Sequence, residues 1–310
     1  NDTQLAALNR TIARDETAAS YYEGLLEEGN AMLAQPPANC TAGADPLAAA
    51  RAVLRLEYAL GLLYRLSGDA RFAHRAAAEL FHVTTNCTTW DPFGLVLAEM
   101  THAVGIGFDW LYHYLSAAQR DAIVDGVARL GFDEALAQYE SNVFWTNCTF
   151  NWGVVTNGGL TVAGLAFLDE ARARANVSAV LAKAAVGMQC PFASFAPHGG
   201  WHEGAMYWQY VAEYAQAVTE ALRGVYGGDD YGLSAAPGFN ETVLFRLHAN
   251  APSQTPYNFG DASLDISGDA AGYFMGYAAL PTSSPRLRAL SAYEARRLAK
   301  LFGGAGGASP

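Results

Sequence analysis

The stretch PLAAARAVLRLEYALGLLYRL, running from Pro46 to Leu66, decides the fold class. Within it Leu47, Ala50, Leu54, Tyr58, Leu62 and Leu66 recur at three- and four-residue intervals, the period of one helix face. Gly61 lowers the helix propensity of this run a little without breaking the pattern. Outward from it the same period continues. Asp69 opens a helix that runs to Leu80, and Phe93–Leu115 is apolar enough to be buried on most sides. Ser116 and Gln119 form a capping box, which starts a helix that runs to about Tyr139. Asn151–Phe167 and Val177–Met188 make a further pair, and Glu203–Tyr226 is a long helix closed by Gly227 and Gly228.

After Gly228 the texture changes. Residues 229–268 carry Gly, Pro, Asn and Asp at close intervals and read as loop, with one short helix near Asn240–His248. Helices over Ala270–Ala279 and Ser284–Leu301 precede a flexible Gly-rich tail at 303–310. No strand alternation is present, so the expectation is an all-α chain of antiparallel helix pairs in a single domain over 1–310. Bundle, solenoid and closed ring all remain open to periodicity alone.

Composition narrows the class. The 310 residues are 51% hydrophobic, enough for a sizeable core, and 19 Lys+Arg against 30 Asp+Glu give a formal charge of −11. Only Lys183 and Lys300 are lysines. An acidic surface of this kind excludes non-specific nucleic-acid binding, which needs basic residues to displace counterions from phosphates. No apolar run reaches the roughly 18 residues of a membrane span, so no membrane insertion is expected.

Asn-X-Ser/Thr sequons occur at Asn1, Asn9, Asn39, Asn86, Asn147, Asn176 and Asn240. So many in one chain point to a secreted, extracellular glycoprotein, and a start at Asn1 in place of Met fits a processed chain or a fragment. Cys40, Cys87, Cys148 and Cys190 then read as two disulfides. Three pairings are possible; Cys40–Cys87 with Cys148–Cys190 is preferred because neighbours close shorter loops.

Three segments look unlike ordinary core. In Thr149–Gly159, Asn151 and Asn157 flank Trp152 at a helix start, where outward N–H groups favour an anion. A sugar carboxylate would dock there with the indole as a stacking platform; the alternative is an Asn cap beside a core Trp. In Pro197–Tyr210, His198 precedes and Trp201, His202, Glu203, Tyr207 and Tyr210 follow a glycine-rich turn. Glu203 and Tyr207, four apart, are expected on one helix face, with Tyr207, Tyr210 and Tyr214 as a stripe. So many polar atoms point to a wet cleft more than to a dry core. In Tyr257–Ser263, Asp261 holds a basic side chain or merely caps a turn.

His198, His202 and Glu203 do not have a zinc spacing, so no metal or other cofactor is expected. Paired acids for glycoside hydrolysis remain an alternative, through Asp109, Glu203 and Asp261.

Ala103–Tyr112, with its Phe-Asp-Trp-Leu-Tyr core, Asn151-Trp152, Gly199–Tyr207 and Phe259-Gly-Asp261 together resemble heparinase II/III-type polysaccharide lyases and their alginate-lyase and dermatan-epimerase relatives. The likeness covers about residues 50–265. It implies an incomplete (α/α) toroid, with the family's β-sandwich domain apparently absent from this chain and supplied, if at all, by a separate partner chain. It implies β-elimination on an acidic, uronate-containing polysaccharide, with Asn151 neutralising the carboxylate, Tyr207 as acid, and His202 or His198 as base. Trp152, Asn157, Trp201, Glu203, Tyr210 and Asp261 would line the substrate site. Three departures stand out: Trp152 replaces a frequent His, Gly199 replaces an acid, and the family's β-domain residues are missing. A non-catalytic glycan-binding or matrix protein on the same toroid is the rival expectation.

Overall fold

A computed structural model describes residues 2–40, 44–90, 93–147, 150–228, 230–249, 255–261 and 284–302; the side chains of Asn147 and of residues 298–302 lie outside the description. The described residues are helical, with no β-strand among them. Their contacts group into two compact units: residues 1–143 with 159–183, and residues 144–158 with 184–310. The expectation was a single domain.

The first unit is built on α3 (Pro46–Ser67), the helix of the opening stretch. Asp45 caps it by accepting from Leu47 N and Ala48 N, Pro46 sits where a missing N–H costs nothing, and Gly68 ends it in the left-handed region. Its neighbours are α2 (Glu16–Met32), α4 (Ala70–Thr85) and α5 (Gly94–Leu111). The buried face is Ala50, Val53, Leu54, Leu56, Glu57, Leu60 and Leu63, whereas Leu47, Tyr58, Leu62 and Leu66 of the expected stripe are half-buried. The helix is where the period puts it; its buried face is wider and rotated, because α3 has neighbours on more than one side. Helix α5 is buried nearly all round, as its apolar run requires.

Two N-terminal helices, α1 (Asp2–Ile12) and α2, escape the periodicity argument. Helix α1 buries no residue and α2 buries only Gly29 and Met32, although Leu5, Leu8 and Ile12 in the first and Tyr22, Leu25, Leu26, Gly29 and Met32 in the second keep helical spacing. Ser116 and Gln119 form the expected capping box of α6 (Ala117–Val127). A π-turn over Ala128–Phe132 then separates α6 from α7 (Asp133–Glu140), so the expected single helix to Tyr139 is interrupted.

Cys40 and Cys87 are joined in a disulfide. Cys190 is a half-buried free thiol; its expected partner Cys148 lies outside the described residues, as do Asn1, the helix expected at Ala270–Ala279 and the Gly-rich tail.

The second unit contains the start of α8 (Asn151–Ala166) and the end of α9 (Arg174–Gly187). It continues with α10 (Gln189–Ala193), α11 (Ala205–Val225), α12 (Thr242–His248) and α13 (Pro285–Phe302). Apart from α12, the described part of 229–268 is turn and two 3-10 segments, as its composition implies. No helix among the described residues is long and apolar enough to cross a membrane.

Candidate functional site

All three unusual segments, except Gly159 at the end of the first, lie in the second unit, and two of them meet at Glu203. The Asn151 backbone N–H donates to Glu203 Oε2 at 2.7 Å, and Asn151 Nδ2 donates to Oε1 at 2.7 Å. Trp201 Nε1 adds a third bond to Oε2 at 3.0 Å. A buried carboxylate is therefore held by three donors at the N-terminus of α8, where the helix field favours negative charge. This is the place the sequence offered to a sugar carboxylate; the protein's own Glu203 occupies it.

Because a carboxylate only accepts, the Asn151 amide must turn its nitrogen towards Glu203. That leaves one Nδ2 hydrogen not used by Glu203. Asn151 Oδ1 is buried and makes no hydrogen bond.

Glu203 is not on a helix. It lies in a turn closed by the Gly204 N–H bonding Trp201 O at 3.1 Å, and α11 begins only at Ala205. Gly204, at φ 92°, sits between the turn and the helix, in a conformation few other residues adopt. Glu203 and Tyr207 thus do not share a helical face, and the spacing argument fails there. Tyr207 stands in the first turn of α11, half-buried; Tyr210, also half-buried, packs edge-on against the buried Tyr214 at 5.6 Å. The tyrosine stripe begins at the surface and ends in the core.

Of the residues expected to line a wet cleft, Trp201 and Glu203 are buried in a bonded knot with Asn151, whereas His198 and His202 are exposed and Tyr207 and Tyr210 half-buried. Asn151, Asn157, Trp201 and Glu203 are all buried. Asn157 donates to Gly153 O at 2.7 Å and its Oδ1 abuts Gly187, so it is a packing residue with no surface for a ligand. His198, His202 and Asp261 are exposed, and Trp152 is half-buried.

Gly199 has a backbone reason for carrying no side chain. Its φ is 78°, and a Cβ there would overlap Thr242 Cα and crowd Gly238 O. Gly238, at φ 83°, presses equally close to Phe195 O. The contact is secured by Thr242 Oγ1, which donates to Gly199 O at 2.6 Å and accepts from Trp208 Nε1 at 2.7 Å. These bonds fix α12 against the His198 turn.

The third segment joins the same turn. A Cβ on Gly260 would come within 2.8 Å of His202 O and 3.0 Å of the Glu203 carbonyl carbon, so residues 257–261 lie directly on it. Asp261 makes no ion pair among the described residues.

Two features were not named from the sequence. Phe144, 56% exposed, stacks with Phe150 (6.0 Å) and packs against Trp152 (4.7 Å), making an aromatic shelf on both sides of Asn151. A cavity of about 830 Å³ lies beside His198, lined also by Glu241, Phe245, His248, Tyr257 and Phe259. The pairing of Phe245 with His248 on one short helix, followed by two aromatics in the next loop, was the available signal.

Among the described residues, the donors close enough together to hold a metal are Cys40, His82 and Cys87, and the disulfide takes both sulfurs. His198, His202 and Glu203 do not form such a group. For the paired-acid alternative, Asp109 lies in the first unit, with its carboxyl raised by partial burial, while Glu203 is saturated with donors.

Of the sequons, Asn9, Asn39 and Asn86 are exposed. Asn240 donates to Ser234 O at 2.9 Å, and Asn176 bonds Asp133.

No family model matches this chain, and no curated protein matches it.

Proposed function

We propose that this chain is a polysaccharide-lyase-like protein that acts on a uronate-containing polysaccharide by β-elimination, on a secreted helical toroid. The observation that carries the reading is convergence. Segments around residues 151, 203 and 260 meet at one turn, and that turn presents His198 and His202 to solvent with Tyr207 just beyond it.

In this reading Glu203 orients, and Asn151 uses its remaining Nδ2 hydrogen on the sugar carboxylate. Withdrawing charge from that carboxylate acidifies the C5 proton, which His202 or Tyr207 removes. The electrons form a C4–C5 double bond, the C4–O bond breaks, and the Tyr207 hydroxyl returns a proton to the leaving oxygen. A β-sandwich partner chain belongs to the same proposal, as the source of any further acid or base.

A second reading, glycan binding without elimination, is favoured by one specific observation: Glu203 already fills the anion position at the start of α8. Replacing Tyr207 by Phe separates the two. Elimination predicts that turnover falls at least about a hundredfold with binding retained, the scale of losing a general acid. Full turnover in the variant removes Tyr207 from the mechanism. A wild-type protein that binds glycans and forms no unsaturated product supports the second reading.

A further inference from the structure

The cavity beside His198 is lined by neither Asn151 nor Tyr207, so the proposed chemistry leaves it unused. We infer that it is a subsite for an uncharged, hydroxyl-bearing pyranose, one ring of the same polysaccharide. The inference rests on the proposed glycan function and specifies its substrate.

The volume, about 830 Å³, lies within the range of small-molecule sites. Phe245 and Phe259, whose rings meet edge-on at 6.3 Å, offer faces and edges to the C–H side of a sugar ring. His198 and His248 add imidazoles that donate to and accept from hydroxyls, and Glu241 adds a carboxylate that accepts from them. Among the described residues no lysine or arginine lines the cavity, whereas a carboxylate does. Recognition of a uronate or a sulfate calls for the opposite, a guanidinium or ammonium facing the anion.

The walls are built in advance. The Tyr257 N–H donates to Ala249 O at 2.7 Å, tying the loop to the end of α12. Gly260 seats the other end of that loop on the His202–Glu203 backbone. The Gly199–Thr242 bond holds α12 against the His198 turn. A cavity fixed on three sides loses little freedom when a ring enters. The substrate repeat therefore carries a neutral ring beside its uronate.

Calorimetric titration tests this with three hexasaccharides: neutral chitohexaose, alternating hyaluronan and homopolymeric glucuronan. The first two are expected to bind within about threefold of each other and glucuronan about tenfold more weakly or worse. Affinity for chitohexaose should change less than about threefold between roughly 50 and 500 mM salt. Phe245→Ala should weaken chitohexaose binding about tenfold; His248→Ala, at an exposed position, repeats the test if the first variant melts early.

Tightest binding to glucuronan, a steep salt dependence, no effect of either variant, or no binding at all would each overturn the subsite. Binding of chitohexaose through Phe245 without unsaturated product from any of hyaluronan, alginate, glucuronan, dermatan and heparan ends the elimination reading and leaves the subsite standing. Elimination with KM unaltered in both variants ends the subsite alone.

Discussion

Removing the Glu203 carboxylate leaves three buried donors, from Asn151 and Trp201, facing nothing. Each unmet donor costs about 1–3 kcal/mol, so Glu203→Ala should lower unfolding stability by at least about 3 kcal/mol. Glu203→Gln keeps one accepting oxygen and should lose less; equal losses in denaturant titrations of the two variants would contradict the three-donor account. Glu57, in the first unit, is the opposite case. It is buried, makes no hydrogen bond, and has its carboxyl pushed well above the usual carboxylate range, first by burial and then by Glu79, against Arg75. A raised folded value means that folding must hold a proton which the unfolded chain releases, so stability is lost as pH rises above the ordinary carboxylate range. Glu57→Gln carries no such proton. Its melting temperature should gain on the wild type as pH rises from about 5 to 8; a constant difference would show that Glu57 does not titrate in this range. His102 shows the same physics in a base, since burial lowers its imidazole to about 3 and keeps it neutral beside Tyr58 Oη, 2.8 Å away.

At the scale of elements, the seat of α12 depends on two glycines with positive φ. A non-glycine residue in that region costs about 1–2 kcal/mol by itself. At Gly238 a methyl group would also overlap Phe195 O, so Gly238→Ala should destabilise by at least about 3 kcal/mol in a thermal or chemical melt. A loss under about 1 kcal/mol would mean that the backbone can retreat. The helices themselves were legible where a period or a cap existed: α3 from its leucines, α6 from Ser116 and Gln119, and α12 from the contrast with its surroundings. Helices α1 and α2 were not named, although Leu5, Leu8 and Ile12 and then Tyr22, Leu25, Leu26, Gly29 and Met32 keep helical spacing; their stripes are short and mostly half-buried, and stand out less than that of α3. The face-sharing of Glu203 with Tyr207 failed for a different reason. Helical spacing was extended through Gly204, which stands at the helix boundary and resets the geometry.

At the scale of the whole molecule, the sequence showed which segments carry chemistry but not which atoms would be satisfied from within. That Asn151 heads a helix was readable; that Glu203, 52 positions later, would supply its anion depends on a tertiary contact no local pattern encodes. The same holds for Asn157, buried against Gly187, and for Gly199, whose missing side chain is required by Thr242. The functional account therefore rests on one turn where distant segments meet, with a buried anchor and an exposed rim. The most direct measurement is ultraviolet absorbance of the C4–C5 unsaturated uronate while the chain is incubated with hyaluronan, alginate, glucuronan, dermatan and heparan in turn. The account predicts a rise with at least one of them, largest for a polymer that alternates a uronate with a neutral ring. A flat trace with all five, from protein that still binds glycans, would contradict elimination.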